Sequence, residues 1–286
     1  MIEGVLVIDK PAGMTSHDVV DRIRKTFKTK KVGHAGTLDP DATGVLVLGL
    51  GRATRILSYA QAGPKTYRAT ATLGVTTTTL DASGEVLERR PIDVTEADVK
   101  TAAAAFVGNI EQIPPMVSAV KIKGERLYKK ALRGEEVERP PRPVTIHELI
   151  VTSFEAPDVG LDVRCSGGTY IRTLVADIGE RLGTGAHLAQ LQRIEAAGFT
   201  ISDTVALDEA GPEHLRPLSD AVRELPRVEV DEDALKRVTH GQSLPVTDPS
   251  LAQDEAVALL SDADLVAVYK RRDGDLVPDR VLVDGS

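Results

Sequence analysis

Polar and apolar residues alternate with a period of two at Thr66 to Val75 (TYRATATLGV) and at Leu161 to Ser166, the pattern of strands with one buried face. Unbroken apolar runs at Gly4 to Ile8 and Val45 to Leu48 predict buried strands, the second punctuated by Gly49 and Gly51. Glu85 to Glu88, Val144 to Phe154 and Phe199 to Ile201 add further strands. Elsewhere the spacing is helical. Val19, Ile23 and Phe27 follow a cap at Thr15 or Ser16, with Asp18 in the first turn. Thr95, with Asp98 three residues on, opens a helix whose apolar face is Val99, Ala102, Ala103 and Phe106. Ile171, Leu174, Val175, Ile178 and Leu182 mark a third, stopped by Gly183. Shorter helices are expected at Ala53 to Tyr59 and at Gly185 to Arg193. Strands and helices do not alternate as regular βαβ units, so the fold class is α+β, a mixed, largely antiparallel sheet with flanking helices.

Pro212 to Pro226 has weak periodicity and reads as a linker. It separates a large unit, 1–226, from a small β-rich C-terminal domain, 227–286. The latter has a helix signal at Asp231 to Val238 and strands at Ala256 to Leu260, Leu265 to Tyr269 and Arg280 to Val283. Inside the large unit, Ile113-Pro114-Pro115 leads into a strand at Val117 to Lys121, helical character at Leu127 to Arg133, and a charged, proline-rich excursion, Gly134 to Pro143.

Composition trims the choices. The 286 residues are 42% hydrophobic, enough for a sizeable core. A single cysteine, Cys165, rules out an internal disulfide and any multi-cysteine metal site. Met1 to Ile8 does not read as a signal peptide, and no run reaches the roughly 18 apolar residues that span a bilayer. A cytoplasmic protein, off the membrane, is the expectation. The formal net charge of -8 argues against a polyanionic partner, but its distribution weakens the objection. Arg22 to Lys31 carries six basic residues and no acid, and a second basic stretch, the insertion at about 121–142, includes Lys129 and Lys130.

Candidate chemistry centres on Lys31 to Gly51 (KVGHAGTLDPDATGVLVLGLG). Its first half is a loop broken by Gly33, Gly36, Pro40 and Gly44, and glycines permit close approach of backbone to a ligand. Asp39 stands in the middle, biased to an extended conformation by Pro40. From the residues alone it reads equally well as a reactive carboxylate or as the solvated acid of an Asp-Pro turn. Phosphate-loop, dinucleotide, metalloprotease and serine-elbow motifs are all absent. The six histidines are scattered, so neither a cofactor nor a metal is expected.

Three segments, GVLVIDKPAGMT (Gly4 to Thr15), VGHAGTLDPDATG (Val32 to Gly44) and GGTYIR (Gly167 to Arg172), resemble the successive motifs of the TruB family of tRNA pseudouridine synthases. The similarity runs on through KTYRATATLG, IPPMVSAVKIKGERLY and GTGAHLAQLQR, covering most of the first two hundred residues. It implies an isomerase that converts uridine 55 in the T-loop of tRNA to pseudouridine, detaching the uracil through N1 and rejoining it through C5, without cofactor. Asp39 matches the family's essential aspartate, acting as nucleophile or as base at the ribose. Tyr67 matches the tyrosine that stacks on the target base, and Arg172 the arginine that pairs with the aspartate and would keep it ionised by lowering its pKa. Tyr170 and Leu191 correspond to pocket residues, Asp81 to a polar contact around the flipped nucleotide, and His34 to the histidine that fills the space the base leaves. Lys10 and Pro11 would buttress the catalytic loop.

By the same resemblance the insertion corresponds to a thumb that closes on the T-arm stem-loop, with Lys129 and Lys130 on phosphate. The C-terminal domain corresponds to one that is PUA-like in many relatives, although only its last strands match well. Thr76 to Gly84 (TTTTLDASG) departs from relatives that carry a further acid before the turn. A monomer is expected. Two rival readings stay open: a scaffold that binds tRNA without chemistry, and a hydrolase pairing Asp39 with Asp41.

Overall fold

The computed structural model describes residues 2–116, 121–122, 125–126 and 137–283. Lys129 and Lys130, with most of the basic insertion, lie outside them. The main body is a ten-stranded sheet. Its path runs Val205–Ala206, Gly4–Lys10, Thr43–Leu50, Ala186–Ala196, Lys65–Leu73, Asp158–Cys165, Arg142–Glu155, Gly108–Gln112. Along this path every neighbouring pair is antiparallel except Gly4–Lys10 with Val205–Ala206, and Thr43–Leu50 with Ala186–Ala196. The α+β, largely antiparallel expectation is what the chain adopts.

Local sequence accounts for the helices. Thr15 and Asp18 form a reciprocal capping box on Ser16–Thr26, and Thr95 and Asp98 form the same box on Glu96–Ala104, each satisfying backbone donors that a helix start leaves open. Val19, Ile23 and Phe27 are buried as their spacing requires. The helix Ile171–Leu182 lays Ile171, Leu174, Val175 and Ile178 on the sheet and stops at Gly183, whose φ is +76°.

Two expectations fail for identifiable reasons. Gly185 to Arg193 is not a helix. Ala186–Ala196 is a strand between Thr43–Leu50 and Lys65–Leu73. Register shifts between Leu188 and Gln190, and between Arg193 and Glu195, interrupt its period of two, so Leu188 and Leu191 fall three apart and imitate a helical face. Nor is Pro212 to Pro226 a free tether. Arg216 exchanges backbone hydrogen bonds with Val5 at 2.8 and 2.9 Å, and Ala221 and Val222 are buried.

A second, five-stranded sheet is built from Arg227–Glu229, Ala256–Ser261, Asp264–Arg272, Asp275–Val281 and Leu244–Pro245, with Glu232–Thr239 as its helix. The third of the strands expected at this end begins earlier than Arg280, because Asp273-Gly274 turns the chain there with positive φ at both residues. Ala258, Leu260, Leu265, Val268 and Leu282 share a core with Val5, Val47, Ile56 and Ala60. Arg52 donates to the Leu282 carbonyl at 2.8 Å, and the Tyr59 hydroxyl to Asp279. Among the described residues no helix is long and apolar enough to cross a membrane.

Where the parallel pair meets, Gly44 faces Arg193 with φ +98°, and a Cβ there would run into the Arg193 backbone. Strain and overlap act together, so Gly44→Ala is expected to cost about 3 kcal/mol of stability, read as a lowered midpoint in urea.

Candidate active site

The loop that carries Asp39 is fixed from several sides. The Lys10 side chain is fully buried, and its ammonium donates to the carbonyls of Pro11, Met14 and Pro40 at 2.8, 2.6 and 2.9 Å. Burial lowers the Lys10 pKa to about 8. The Ser16 hydroxyl accepts from the Leu38 amide at 2.8 Å, and Gly13 donates to Pro40 at 3.0 Å. The first motif therefore holds the second in place, Lys10 by its charge and Pro11 only through its carbonyl.

Asp39 is brought to the N-terminal turn of Ile171–Leu182. Arg172 is 4% exposed there and divides its guanidinium between two acids: Nη1 lies 3.6 Å from Asp39 Oδ2 and 3.1 Å from Asp81 Oδ2. The two carboxylates differ in kind. Asp81 is half-buried, which pushes its pKa up, but hydrogen bonds from Ser83 and Thr79 and the charge of Arg172 outweigh this and hold it below the ordinary value. Thr79 Oγ1 and Ser83 Oγ each reach Asp81 Oδ1 at 2.6 Å, so a threonine of the departing TTTT stretch supports the acid that follows it. Among the described residues no hydroxyl supports Asp39 in this way. Burial raises its pKa, Arg172 and Lys10 pull it down, and Asp81 and Asp41 add to the rise; the net shift is upward. The Arg172 cation thus acts in the direction expected from the sequence, but loss of water around the carboxyl exceeds it.

Asp39, Leu38, Tyr67, Tyr170, Arg172 and Leu191 line one cavity of about 200 Å³. Tyr67 projects from Lys65–Leu73, 8% exposed, its phenol pKa raised by burial. Tyr170 caps the Arg172 helix, its amide and carbonyl both held by the Gln112 side chain at 3.0 and 3.2 Å. Asp81 and Leu191 line a neighbouring cavity of about 230 Å³ that reaches Asp39 and Arg172 from the other side. His34 ends the short strand Val32–His34, paired with Leu48, and is not in the lining of either cavity. Asp41, the rival acid, is exposed at the rim of the second.

Sequence reasoning missed two cations in the first cavity, Lys65 and Arg193. Both are buried, at 5% and 1% exposure. The signal was available: a basic residue at an inward position of a strand. It was hidden for Arg193 because that strand read as a helix. The chemistry assembled here is a carboxylate whose charged form a neighbouring cation favours against the effect of burial, an aromatic wall, and a pocket with room for a small planar group.

The family model described as TruB family pseudouridylate synthase (N terminal domain) matches residues 24–171, and that for the tRNA pseudouridylate synthase B C-terminal domain matches 172–239. A protein of Thermobifida fusca named tRNA pseudouridine synthase B is 45% identical over 97% of this chain and 98% of its own. Its namesake in Streptococcus mutans is 42% identical over 99% and 100%. The crystal structure of a Cbf5-Nop10-Gar1 complex superposes with a TM-score of 0.79 at 28% identity, covering 98% of this chain and 85% of that one. The chain belongs to the TruB family of pseudouridylate synthases.

Proposed function

We propose that this pseudouridine synthase acts on tRNA and isomerises uridine 55 of the T-loop. Asp39 is the essential carboxylate. The C1′–N1 bond of the nucleotide breaks, a C1′–C5 bond forms, one proton leaves C5 and one is taken up at N1, so neither water nor an electron acceptor is consumed. The observation that carries the reading is the placing of Asp39, Arg172 and Tyr67 around one cavity. In it Arg172 holds the carboxylate, and the face of Tyr67, with Tyr170 and Leu191, accepts the uracil. A base inside a folded T-loop reaches such a pocket only by flipping out, at a cost of a few kcal/mol. Stacking on an aromatic ring offsets roughly 1–3 kcal/mol of it, and His34 occupies the space vacated in the RNA. Asp81 contacts the nucleotide beside the flipped base and steadies Arg172, while Lys129 and Lys130 hold T-arm phosphates. The catalytic unit spans 1–226 and a C-terminal domain 227–286; the protein works as a monomer in the cytoplasm.

The test is incubation of the full chain with a T-arm stem-loop transcript, followed by carbodiimide mapping. Pseudouridine is expected at the T-loop position equivalent to 55, with no change in RNA mass. Unmodified RNA, or modification elsewhere alone, would sink the proposal.

A further inference from the structure

Arg193 is among the most deeply buried side chains in the protein, although a guanidinium is always charged. Its Nε donates to the Val45 carbonyl at 2.8 Å and one Nη to the Gly36 carbonyl at 3.2 Å. Those two carbonyls stand on either side of Asp39 in the chain, so one side chain ties both ends of the catalytic loop. Gly36 has φ +104°, and the other Nη of Arg193 would stand 3.6 Å from a Cβ at that position.

Arg193 is also the cross-strand partner of Tyr67 in the antiparallel ladder between Ala186–Ala196 and Lys65–Leu73. Residues opposed in this way point to the same face of a sheet, and both line the cavity that holds Asp39. The guanidinium faces the phenol and opposes the effect of burial on it.

We propose that Arg193 is a positioning residue for pseudouridine formation, holding the two ends of the Asp39 loop and fixing the phenol of Tyr67 as a hydrogen-bond donor into the cavity. The inference rests on the reaction proposed above and adds a residue to it. Its chemistry is one of polarity. A guanidinium has five N–H donors and no acceptor, whereas a phenol can do both. Facing Arg193, the phenol oxygen is the acceptor and its own O–H is turned toward the bound base. The same cation lowers the cost of negative charge on that oxygen when the proton is shared with substrate. Lysine offers a point charge and cannot reproduce two carbonyl ties and a third contact in one plane.

The experiment is a double-mutant cycle on the full chain, reading single-turnover pseudouridine formation on the stem-loop, RNA affinity and thermal midpoint together. Arg193→Lys and Tyr67→Phe are each expected to slow the reaction with RNA affinity retained. In the Tyr67→Phe background, Arg193→Lys is expected to cost at least about tenfold less than in the native chain. Equal losses in both backgrounds would overturn the proposal, because Arg193 would then act only through the loop or the fold. Arg193→Gln, which keeps amide donors without the charge, supplies the same comparison if the lysine variant does not fold. A Tyr67→Phe variant as fast as the native chain overturns the inference while leaving the reaction intact. An inactive native chain overturns both.

Discussion

Asp39→Asn is expected to abolish pseudouridine formation, lowering the single-turnover rate by at least about 10⁴-fold, while RNA affinity and the thermal midpoint do not fall. The amide has the shape of the carboxylate and fits the same loop, but it carries no negative charge to attack the ribose or to take a proton from it. The stability half of the expectation follows from the raised pKa of Asp39. Between the ordinary carboxylate value and the raised one, the folded chain binds more protons at this site than the unfolded chain. Stability therefore falls as pH rises through that window, so above it the neutral amide is expected to be no less stable than the carboxylate it replaces. Arg172 keeps Asp81 as its partner in the variant, 3.1 Å away, so no buried cation is orphaned. In the native chain the rate should rise with pH through the same window, since only the ionised form is competent. Carbodiimide mapping, a binding titration and a melt at pH 7 check the three parts. Turnover that survives the substitution would remove Asp39 from the chemistry altogether.

Much of the fold that frames this site is legible in the sequence. Thr15 with Asp18 and Thr95 with Asp98 announce their helices because a capping box is a local device, complete within four residues. The strand Lys65–Leu73 shows its alternation because one of its faces is buried throughout. Neither Ala186–Ala196 nor Arg193 could be read in the same way. Two bulges break that strand's period, and the partners of Arg193 are carbonyls contributed by residues some 150 positions away, Val45 and Gly36. The net upward shift of the Asp39 pKa is out of reach of the sequence for a related reason. The sequence displays the neighbouring cation, but the extent to which a loop excludes water from a carboxyl is a property of the assembled cleft. The same holds for the C-terminal sheet: nothing local in its sequence shows that Leu260, Val268 and Leu282 pack with Val5 and Ile56.

Arg172 separates geometry from charge, and two substitutions divide them. Arg172→Met removes the cation from between Asp39 and Asp81, leaving two partly buried acids without their shared counter-ion. The stability cost is expected to be about 3 kcal/mol, read in urea at pH 7, and to shrink as pH falls and the acids protonate. Because Arg172 lowers the Asp39 pKa against the effect of burial, its loss should carry the acid limb of the rate profile to higher pH, with the plateau rate down by about 10³-fold. Arg172→Lys keeps the charge but replaces the planar guanidinium, whose Nη1 stands 3.6 Å from one acid and 3.1 Å from the other, with a more mobile ammonium on a flexible stem. Asp81, already bonded to Thr79 and Ser83, is the better anchored of the two acids and should capture that ammonium, leaving Asp39 free to drift from the reacting carbon. The lysine variant is thus expected to recover most of the stability and only part of the pH shift, with a plateau still about 10²-fold below the native chain. If the methionine variant kept the native acid limb, Arg172 would not govern the ionisation of Asp39, and its place in the cleft would be that of a structural bridge to Asp81.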